Sequence, residues 1–305
     1  VVTNCEVQGS VFGAGFSASL PSVEVDATGF ATEPYYYTDL GTYREGVKGS
    51  TTTYTWQHRD VVNSTVTAID KTNHILYTSE DLTALGAVTG TATLTIDGTT
   101  TALESVYGGG EESGVGGDTE VSVTGGTIGS QGQGGVEYGN VYGGGKGKVG
   151  DKVAGYVKGN TTVNISQASA EEPTTIYHNV YGGGAYGSVG NFTYDPTSGM
   201  PTSCAENTGS CTVNIQSGTF GSNGKENGMV FGSSRGDVAT PEGEPAVDPN
   251  DRMAWVYSTH VTIGDANAAT SPTIRGSVYG SGENGHTLQN TVVNIRFIFI
   301  MSFSY

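Results

Sequence analysis

The sequence has little positive charge. It carries 13 Lys plus Arg against 30 Asp plus Glu, which gives a formal net charge of −17. Such a surface repels both the phosphate backbone of nucleic acid and an anionic membrane, so neither is expected as a partner. Few lysines together with many Asn, Thr and Gly are typical of exported bacterial surface proteins, and an acidic cytosolic protein is the alternative with the same bias. We therefore expect the chain to work outside the cell, either secreted or at the cell surface.

Long apolar runs are missing as well. No stretch approaches the roughly 18 apolar residues of a membrane-spanning helix, so no transmembrane helix is expected. Residues 1–20 have neither the basic start nor the apolar core of a signal peptide. We therefore expect the chain to be a processed product or a piece of a longer protein.

Segments rich in the helix formers Leu, Glu and Lys are scarce, whereas 49 Gly and 17 Tyr accompany abundant Thr and Val. This composition favours strands joined by glycine turns. In the N-terminal part, strands are predicted at Tyr35–Tyr37, Thr51–Trp56 and Val61–Ile69. One short helix is predicted at Ser79–Leu85, because a capping residue starts it and Gly86 follows it.

Cysteine is rare, with three residues in the chain. Cys204 and Cys211 flank a polar turn that contains glycine, and they are a candidate disulfide pair. Two reduced thiols at the surface are the alternative. Cys5 is then the odd one, either free or paired outside this segment.

Candidate metal ligands are limited to oxygen atoms. The carboxylates of Asp118, Glu120 and Asp151 form a candidate calcium site, because Ca²⁺ prefers oxygen ligands. A solvated acidic face explains the same residues without a metal. The five histidines lack the spacing of zinc ligands, so neither zinc nor any other cofactor is expected.

The main positive signal is a repeated phrase in which a valine and an aromatic residue precede small residues. The copies read Val106-Tyr-Gly-Gly-Gly110, Val141-Tyr-Gly-Gly-Gly145, Val180-Tyr-Gly-Gly-Gly184, Val230-Phe-Gly-Ser-Ser234 and Val278-Tyr-Gly-Ser-Gly282. Val11-Phe-Gly-Ala-Gly15 is an isolated relative. The spacing between copies is uneven, so the repeat must tolerate insertions.

A second phrase of alternating polar and apolar residues follows each copy. It reads Glu120-Val-Ser-Val123, Thr162-Val-Asn-Ile165, Thr212-Val-Asn-Ile215, His260-Val-Thr-Ile263 and Val292-Val-Asn-Ile295. Strict alternation predicts a strand with one buried face. Glycine turns such as Gly125-Gly-Thr-Ile128 and Ser217-Gly-Thr-Phe220 come next.

These short strands predict a stacked architecture. A strand of four or five residues buries too little apolar area alone, but equivalent strands of successive repeats can pair about 4.8 Å apart and share one core. Val and Ile would then form interior ladders, tyrosines would stack along one face, and the glycines of the phrase would supply positive φ and close backbone approach. The sequence thus predicts an all-β fold, a parallel β-solenoid (β-helix) with irregular loop insertions. A β-propeller is the alternative, whereas β-sandwich modules need about 100 residues each.

Three regions follow from the repeat. Residues 1–90 are predicted to be a degenerate, mostly β cap region, residues 91–295 the solenoid repeats, and residues 296–305 an apolar C-terminal strand. Exposed, such a strand would aggregate, so either a longer chain or the final repeat covers it, or it pairs with another subunit in a head-to-tail fibre. The residues predicted to serve this self-assembly are Phe297, Ile298, Phe299, Ile300, Met301, Phe303 and Tyr305.

The repeated phrases resemble those of large bacterial surface proteins predicted to form right-handed parallel β-helices, of the adhesin and autotransporter-passenger type. The resemblance covers about residues 90–295. It implies an extracellular location and a structural or adhesive role, and it supplies no catalytic residues. We therefore expect a surface scaffold or adhesin that self-associates into a homopolymer or binds a host or matrix glycan or protein.

Motifs typical of other functions occur inside the repeats. Gly145–Gly150 has the glycine spacing of a dinucleotide-binding loop, but no βαβ unit surrounds it. Gly232–Gly236 matches a nucleophile elbow, but Ser234 occupies the position of a repeat glycine. Arg235, Gly236 and Asp237 form an integrin-type tripeptide, which is a candidate cell-attachment site.

The enzyme alternative is a polysaccharide lyase or glycoside hydrolase, because parallel β-helices also carry such sites. Asp237, Arg235 and Arg275 are the candidate members of the acidic and basic cluster that this chemistry needs. Carbohydrate binding through exposed Tyr, Trp56 or Trp255 is the binding alternative. Fold alone does not imply function, and we expect no enzyme activity.

Overall fold

The computed structural model describes most of the chain outside a long N-terminal stretch and several loops. The described residues are 1–16, 86–133, 135, 137–149, 154–169, 171–195, 200–222, 227–237, 253–265 and 270–296, with the backbone of four strands between 35 and 66. The predicted helix at Ser79–Leu85 and the predicted assembly residues at 297–305 lie outside this part.

The chain divides into two compact units, one formed by Val1–Phe16 with Gly86–Tyr305 and the other by Ser17–Leu85. The second unit contains one antiparallel sheet whose strands pair in sequence order: Tyr35–Asp39, Thr42–Lys48, Tyr54–His58 and Thr65–Val66. Each of the three N-terminal strands predicted from the sequence overlaps one of these.

The first unit contains three parallel sheets. Sheet 1 has the strands Val2–Thr3, Ala92–Asp97, Thr119–Val123, Thr161–Ile165, Ser210–Ile215, Ser258–Ile263 and Thr291–Ile295. Sheet 2 has Glu6–Val7, Thr101–Ala102, Gly126–Ile128, Thr174–Ile176, Thr219–Phe220 and Thr273–Ile274. Sheet 3 has Val11–Phe12, Val106–Tyr107, Val141–Tyr142, Val180–Tyr181, Val230–Phe231 and Val278–Tyr279. The described residues of this unit also form two small pairs: antiparallel Phe192–Tyr194 with Pro201–Cys204, and parallel Trp255–Val256 with His286–Thr287.

Along the first unit, successive strands belong to sheet 1, sheet 2 and sheet 3, and the chain then returns to sheet 1 beside its previous strand. We call one such set of three strands a layer. Neighbouring layers pair in register, so Val121 lies beside Val163 and Asn164 lies beside Asn214. The prediction of an all-β chain is confirmed for the described residues, which form long parallel sheets and contain no helix.

The core lies between the inward faces of the three sheets. In sheet 1 the strands alternate between buried and partly exposed side chains, as the alternating phrase predicts. The inward residues form rows of like side chains: Leu94, Val121, Val163, Val213 and Val261 in one row, and Ile96, Val123, Ile165, Ile215 and Ile263 in the next. Each strand thereby buries its apolar face against its neighbours, which no single layer could do alone.

Aromatic side chains form a separate ladder on sheet 3, where the valines face the main core. The rings of neighbouring layers stack nearly parallel, with centroids 4.7–5.0 Å apart. The ladder consists of Phe12, Tyr107, Tyr142, Tyr181, Phe231 and Tyr279. Offset stacking at this distance adds to the stabilisation that ring burial alone provides. The interior ladders and the stacked tyrosines predicted from the sequence are both present.

The glycines of the repeated phrase permit close backbone approach, but they do not adopt positive φ. Glycines with positive φ occur elsewhere, for example at Gly126 and Gly264, and none of those from 108 to 110 or from 143 to 145 is among them. The expectation of positive φ in the phrase was therefore wrong. A Cβ on Gly143 would instead overlap the carbonyl oxygen of Gly182 in the next layer. The layers are close here, and a side chain would push them apart.

A row of inward hydroxyls completes this contact. The Oγ1 atoms of Thr119 and Thr161 donate to the carbonyl oxygens of Gly143 and Gly182 at 2.6 Å. These threonines are almost completely buried, and burial without such a bond would be costly. Cys211 takes the place of threonine in the following layer.

The N-terminal boundary differs from the one expected. Val1–Phe16 supplies the first strand of each parallel sheet and belongs with Gly86–Tyr305, so residues 1–90 do not form one region. Val11 pairs with Val106 and Phe12 with Tyr107, which makes the isolated copy of the phrase a full member of sheet 3. Residues 17–85 follow this layer as an insertion before sheet 1 resumes at Ala92.

Candidate functional site

The integrin-type tripeptide lies just after the sheet 3 strand Val230–Phe231. The backbone N–H of Arg235 donates to the carbonyl of Gly184 at 2.9 Å. Gly236 is buried, and its N–H donates to the carbonyl of Glu283 at 2.8 Å. Both bonds join neighbouring layers, so the tripeptide is built into the stack rather than placed at the tip of an exposed loop.

The side chain of Arg235 joins a polar network beside the aromatic ladder. It is 21% exposed, and its Nε lies 3.6 Å from Oε2 of Glu283. The Tyr181 hydroxyl donates to the same carboxylate and accepts from Asn179 Nδ2 at 3.1 Å. Burial, together with the nearby Glu283 charge, raises the pKa of Tyr181 well above 10.0. This arrangement favours a structural role for Arg235.

Asparagine side chains continue the network from layer to layer. Oδ1 of Asn140 accepts the backbone N–H of Asn179 at 3.1 Å, and Oδ1 of Asn179 accepts that of Met229 at 2.9 Å. The ring Nδ1 of His178 lies 2.6 Å from Asn140 Oδ1. Burial lowers the pKa of His178 below its ordinary value of 6.5. These residues hold consecutive layers in register.

The candidate lyase or hydrolase residues do not form one cluster. Arg275 is exposed and follows the sheet 2 strand Thr273–Ile274, whereas Arg235 and Asp237 follow a sheet 3 strand. Within the described part of the chain, no hydrogen bond or ion pair joins Arg275 to the other two.

The other motifs are used inside the stack as well. Ser234 is fully buried, and its hydroxyl accepts from Gly184 N and donates to Gly187 O, each at 3.0 Å. Lys146, in the glycine-spaced motif, pairs with Glu111 at 3.0 Å and Glu137 at 3.3 Å. Both residues thus have partners within the protein.

The candidate disulfide is not present, because Cys204 and Cys211 are free thiols. Cys211 faces inward on a sheet 1 strand and is fully buried. Cys204 lies on a different strand, where its Sγ is 3.2 Å from the Thr208 hydroxyl. Burial raises the pKa of Cys211 from 9.0 to about 12. Cys5 is also free, and it is exposed.

Of the candidate calcium ligands, Asp118 and Glu120 are described and Asp151 is not. Asp118 Oδ1 accepts from the Asn160 backbone N–H at 2.7 Å, so it links two layers. Glu120 Oε1 accepts from Asn164 Nδ2 at 3.3 Å on the outer face of sheet 1. Among the residues that are described, no group of three or more His, Cys, Asp or Glu could hold a metal ion. The same residues contain no helix long and apolar enough to span a bilayer.

The outer face of sheet 1 carries a polar groove with a volume of about 600 Å³. Its floor is made by three neighbouring strands, Thr161–Ile165, Ser210–Ile215 and Ser258–Ile263. Side chains point outward at every second position of these strands and form two rows. The floor residues are Thr212 and His260 in one row, and Asn164, Asn214 and Thr262 in the other.

The residues that follow the strands Ser210–Ile215, Ser258–Ile263 and Thr291–Ile295 form the wall of the groove. Gln216, Gly264, Asp265 and Arg296 line it. Gly264 has a φ of +84°, and a Cβ there would overlap the carbonyl oxygen of Arg296. Glycine is needed at this position for both reasons, and it keeps the Arg296 segment close to the groove.

Some of the polar groups in the groove are used within the protein, including Asn164 Nδ2, which donates to Glu120 Oε1 at 3.3 Å. Asn214 Nδ2 donates to Asn164 Oδ1 at 2.9 Å, which fixes the orientation of both amides. Asn294 Nδ2 lies 3.2 Å from His260 Nε2. Within the described part of the chain, no hydrogen bond or ion pair engages the side chains of Thr212, Thr262 or Arg296. The groove therefore presents several donors and acceptors to solvent.

Comparison with known proteins adds no family: no family model, no curated protein and no solved structure matches the chain.

The groove was not predicted from the sequence. Its floor residues are the polar members of the alternating phrase, at the x positions of Thr-Val-x-Ile and at the residue before the valine. The alternation in Thr212-Val-Asn-Ile215 and His260-Val-Thr-Ile263 predicts the buried face, and it also places the polar residues of both phrases together on the outer face. The wall could not be inferred, because it depends on how the chain leaves each strand.

Proposed function

We propose that the chain is a parallel β-solenoid that acts outside a bacterial cell as a structural and adhesive surface protein. The observation that carries the proposal is the register of the layers. Six times the chain passes through sheets 1, 2 and 3 in the same order, and like residues lie over like residues in all three. Continuous winding around a shared core accounts for this pattern, and a scaffold role suits a body extended by repetition.

The polar residues favour a scaffold over an enzyme. The candidate nucleophile Ser234 is buried and hydrogen bonded, and the candidate cation Arg235 pairs with Glu283. A catalytic serine needs a hydroxyl that substrate can reach and a base that accepts its proton. The Ser234 hydroxyl is buried, and its hydrogen bonds go to backbone atoms. The network instead connects layers, which supports a rigid body.

The exported location rests on composition. The net charge of −17 and the low content of Lys and Arg fit a soluble surface that repels anionic polymers. Assembly of such bodies into head-to-tail fibres through residues 297–305 stays a prediction, because these residues lie outside the described part.

Labelling of intact source cells with an antibody against residues 86–296 tests the location and role together. We expect labelling at the cell surface and its loss after brief protease treatment of unbroken cells. Labelling that requires permeabilised cells would contradict the exterior role. Electron micrographs of the purified chain should show short rods, and separate globular beads would contradict the solenoid.

A further inference from the structure

We infer that the groove on the outer face of sheet 1 is a binding site for a neutral, linear glycan. This inference rests on the proposed adhesive function and names the class of ligand for it. Three properties of the groove carry it: its size, the regular placement of its polar groups, and the balance of its charges.

The size of the groove suits a short stretch of a polymer. Its volume of about 600 Å³ falls within the range of roughly 300–1,000 Å³ that ligand sites occupy. The floor spans three strands, and the groove is bounded on one side by Gln216 and Arg296. A ligand can therefore lie across the strands and be held from the side.

The floor repeats at the spacing of the strands, which is about 4.8 Å. A polymer lying across the strands would meet Asn164, Asn214 and Thr262 in turn along one row. Sugar residues of an extended glycan repeat over a comparable length, so successive units can each meet one of these three side chains. A ligand without such a repeat would use only one part of the floor.

The chemistry of the floor matches hydroxyl groups. Carboxamides and hydroxyls both donate and accept hydrogen bonds, as sugar hydroxyls do. The bond from Asn214 to Asn164 fixes the two amides before a ligand arrives, which lowers the entropy lost on binding. Arg296 adds several N–H donors in a plane and makes no hydrogen bond or ion pair within the described residues.

The charge favours a neutral glycan over an acidic one. The groove has one arginine on its wall, and Asp265 lines the same wall. The chain as a whole carries a net charge of −17, so an acidic polysaccharide is repelled at long range. A neutral polymer meets no such barrier.

The test compares two matched double variants. Thr212→Val with Thr262→Val removes two hydroxyls from the floor, and valine keeps the β-branched shape that suits a strand. Thr93→Val with Thr95→Val makes the same change in the same two rows of sheet 1, outside the groove. Arg296→Gln is a further variant, because the Arg296 side chain makes no hydrogen bond or ion pair with the described residues.

The probes are soluble linear oligosaccharides of β-linked glucose, mannose or xylose, with oligogalacturonate as the acidic comparison, and binding is measured by titration calorimetry. We expect at least one neutral probe to bind. The Thr212→Val, Thr262→Val variant should bind about tenfold more weakly, because two hydrogen bonds are lost. Arg296→Gln should also weaken binding, whereas the Thr93→Val, Thr95→Val control should bind like the unchanged protein.

Several results would overturn the inference: no neutral probe binds, only oligogalacturonate binds, or both double variants lose affinity equally. Thermal unfolding of each variant identifies any variant that fails to fold. If a double variant does not fold, the affinity of Arg296→Gln decides whether the groove binds the glycan. Failure of glycan binding would leave surface labelling and rod-shaped particles unchanged, so it is distinguishable from failure of the scaffold proposal.

Discussion

Single residues of the repeat are selected by contacts between layers. The glycine after the aromatic residue lies against the carbonyl of its equivalent in the next layer, and a buried threonine donates to that carbonyl. The glycine therefore excludes side chains from a backbone contact, and the threonine satisfies an acceptor that would otherwise be buried alone. These two contacts explain why the residues of the phrase are so similar from one copy to the next.

Gly143→Ala tests the contact between layers. A Cβ there meets backbone atoms of Gly182, which cannot move without separating the layers, so the free energy of unfolding should fall by about 1–3 kcal/mol. Gly90→Ala is the control, because a Cβ at Gly90 meets no atom within 4 Å. Denaturant unfolding measures both variants, and equal stability of the two would contradict the account.

Thiol labelling tests the burial of Cys211. Its burial and a pKa of about 12 leave almost no thiolate at neutral pH. In the folded protein an alkylating reagent should therefore modify exposed Cys5 rapidly and Cys211 only after denaturation. A disulfide would instead lower the mass of the unreduced protein by two hydrogens relative to the reduced protein. It would also protect both Cys204 and Cys211 from alkylation after denaturation without reductant.

The burial of His178 predicts that the free energy of unfolding decreases in acid. Burial lowers its pKa in the folded state below 6.5, with the Arg235 charge acting in the same direction and Glu283 in the opposite one. Below pH 6.5 the unfolded chain therefore binds more protons at this site, and stability falls until the lowered folded pKa is passed. His178→Gln should remove this component. An unchanged dependence of the unfolding free energy on pH between 7 and 5 would contradict it.

At the scale of elements, alternation and repetition were sufficient to predict the strands. The residues of Thr162-Val-Asn-Ile165 and its relatives form sheet 1, and the Val-Tyr pairs form sheet 3. The short sheet 2 strands, such as Thr174–Ile176, are harder to predict from the sequence, because two or three residues are too few to show an alternating pattern. The layer at Val1–Phe16 was missed as a full layer because residues 17–85 separate it from the next one.

The aromatic ladder is the element whose loss should cost most. Tyr142 is fully buried and stacks on Tyr107 at 4.8 Å and on Tyr181 at 4.7 Å. Tyr142→Ala removes both contacts and leaves a cavity, so we expect a loss of about 3–5 kcal/mol in unfolding free energy. Tyr142→Phe keeps the ring and should cost far less, since Phe12 and Phe231 occupy equivalent positions. Similar losses in the two variants would show that the hydroxyl, not the stack, matters.

At the scale of the whole first unit, the sheets predicted from the repeat are present, whereas the groove on sheet 1 was not predicted from the sequence. Composition and alternation specify which face is buried, because burial is a property of each strand. The groove needs three neighbouring strands and the turn at Gly264 to meet in space, and residues from 164 to 296 contribute to it. The position of the Arg235–Asp237 tripeptide between neighbouring layers could not be predicted for the same reason, because it depends on how the strands stack.

The central claim is that equivalent strands stack in register, one layer after another. Thr95 and Thr262 lie in the same outer row of sheet 1, joined through Ser122, Asn164 and Asn214. Four steps of about 4.8 Å place their backbones roughly 19 Å apart.

Spin labels on Thr95→Cys and Thr262→Cys, with Cys5→Ser and Cys204→Ser removing the accessible thiols, test this distance directly by pulsed electron paramagnetic resonance. We predict one narrow distribution of distances between the two labels. Its centre should differ from the backbone separation of ~19 Å by no more than the length of a label. A broad distribution, or a main distance beyond about twice that value, would contradict stacked layers in register.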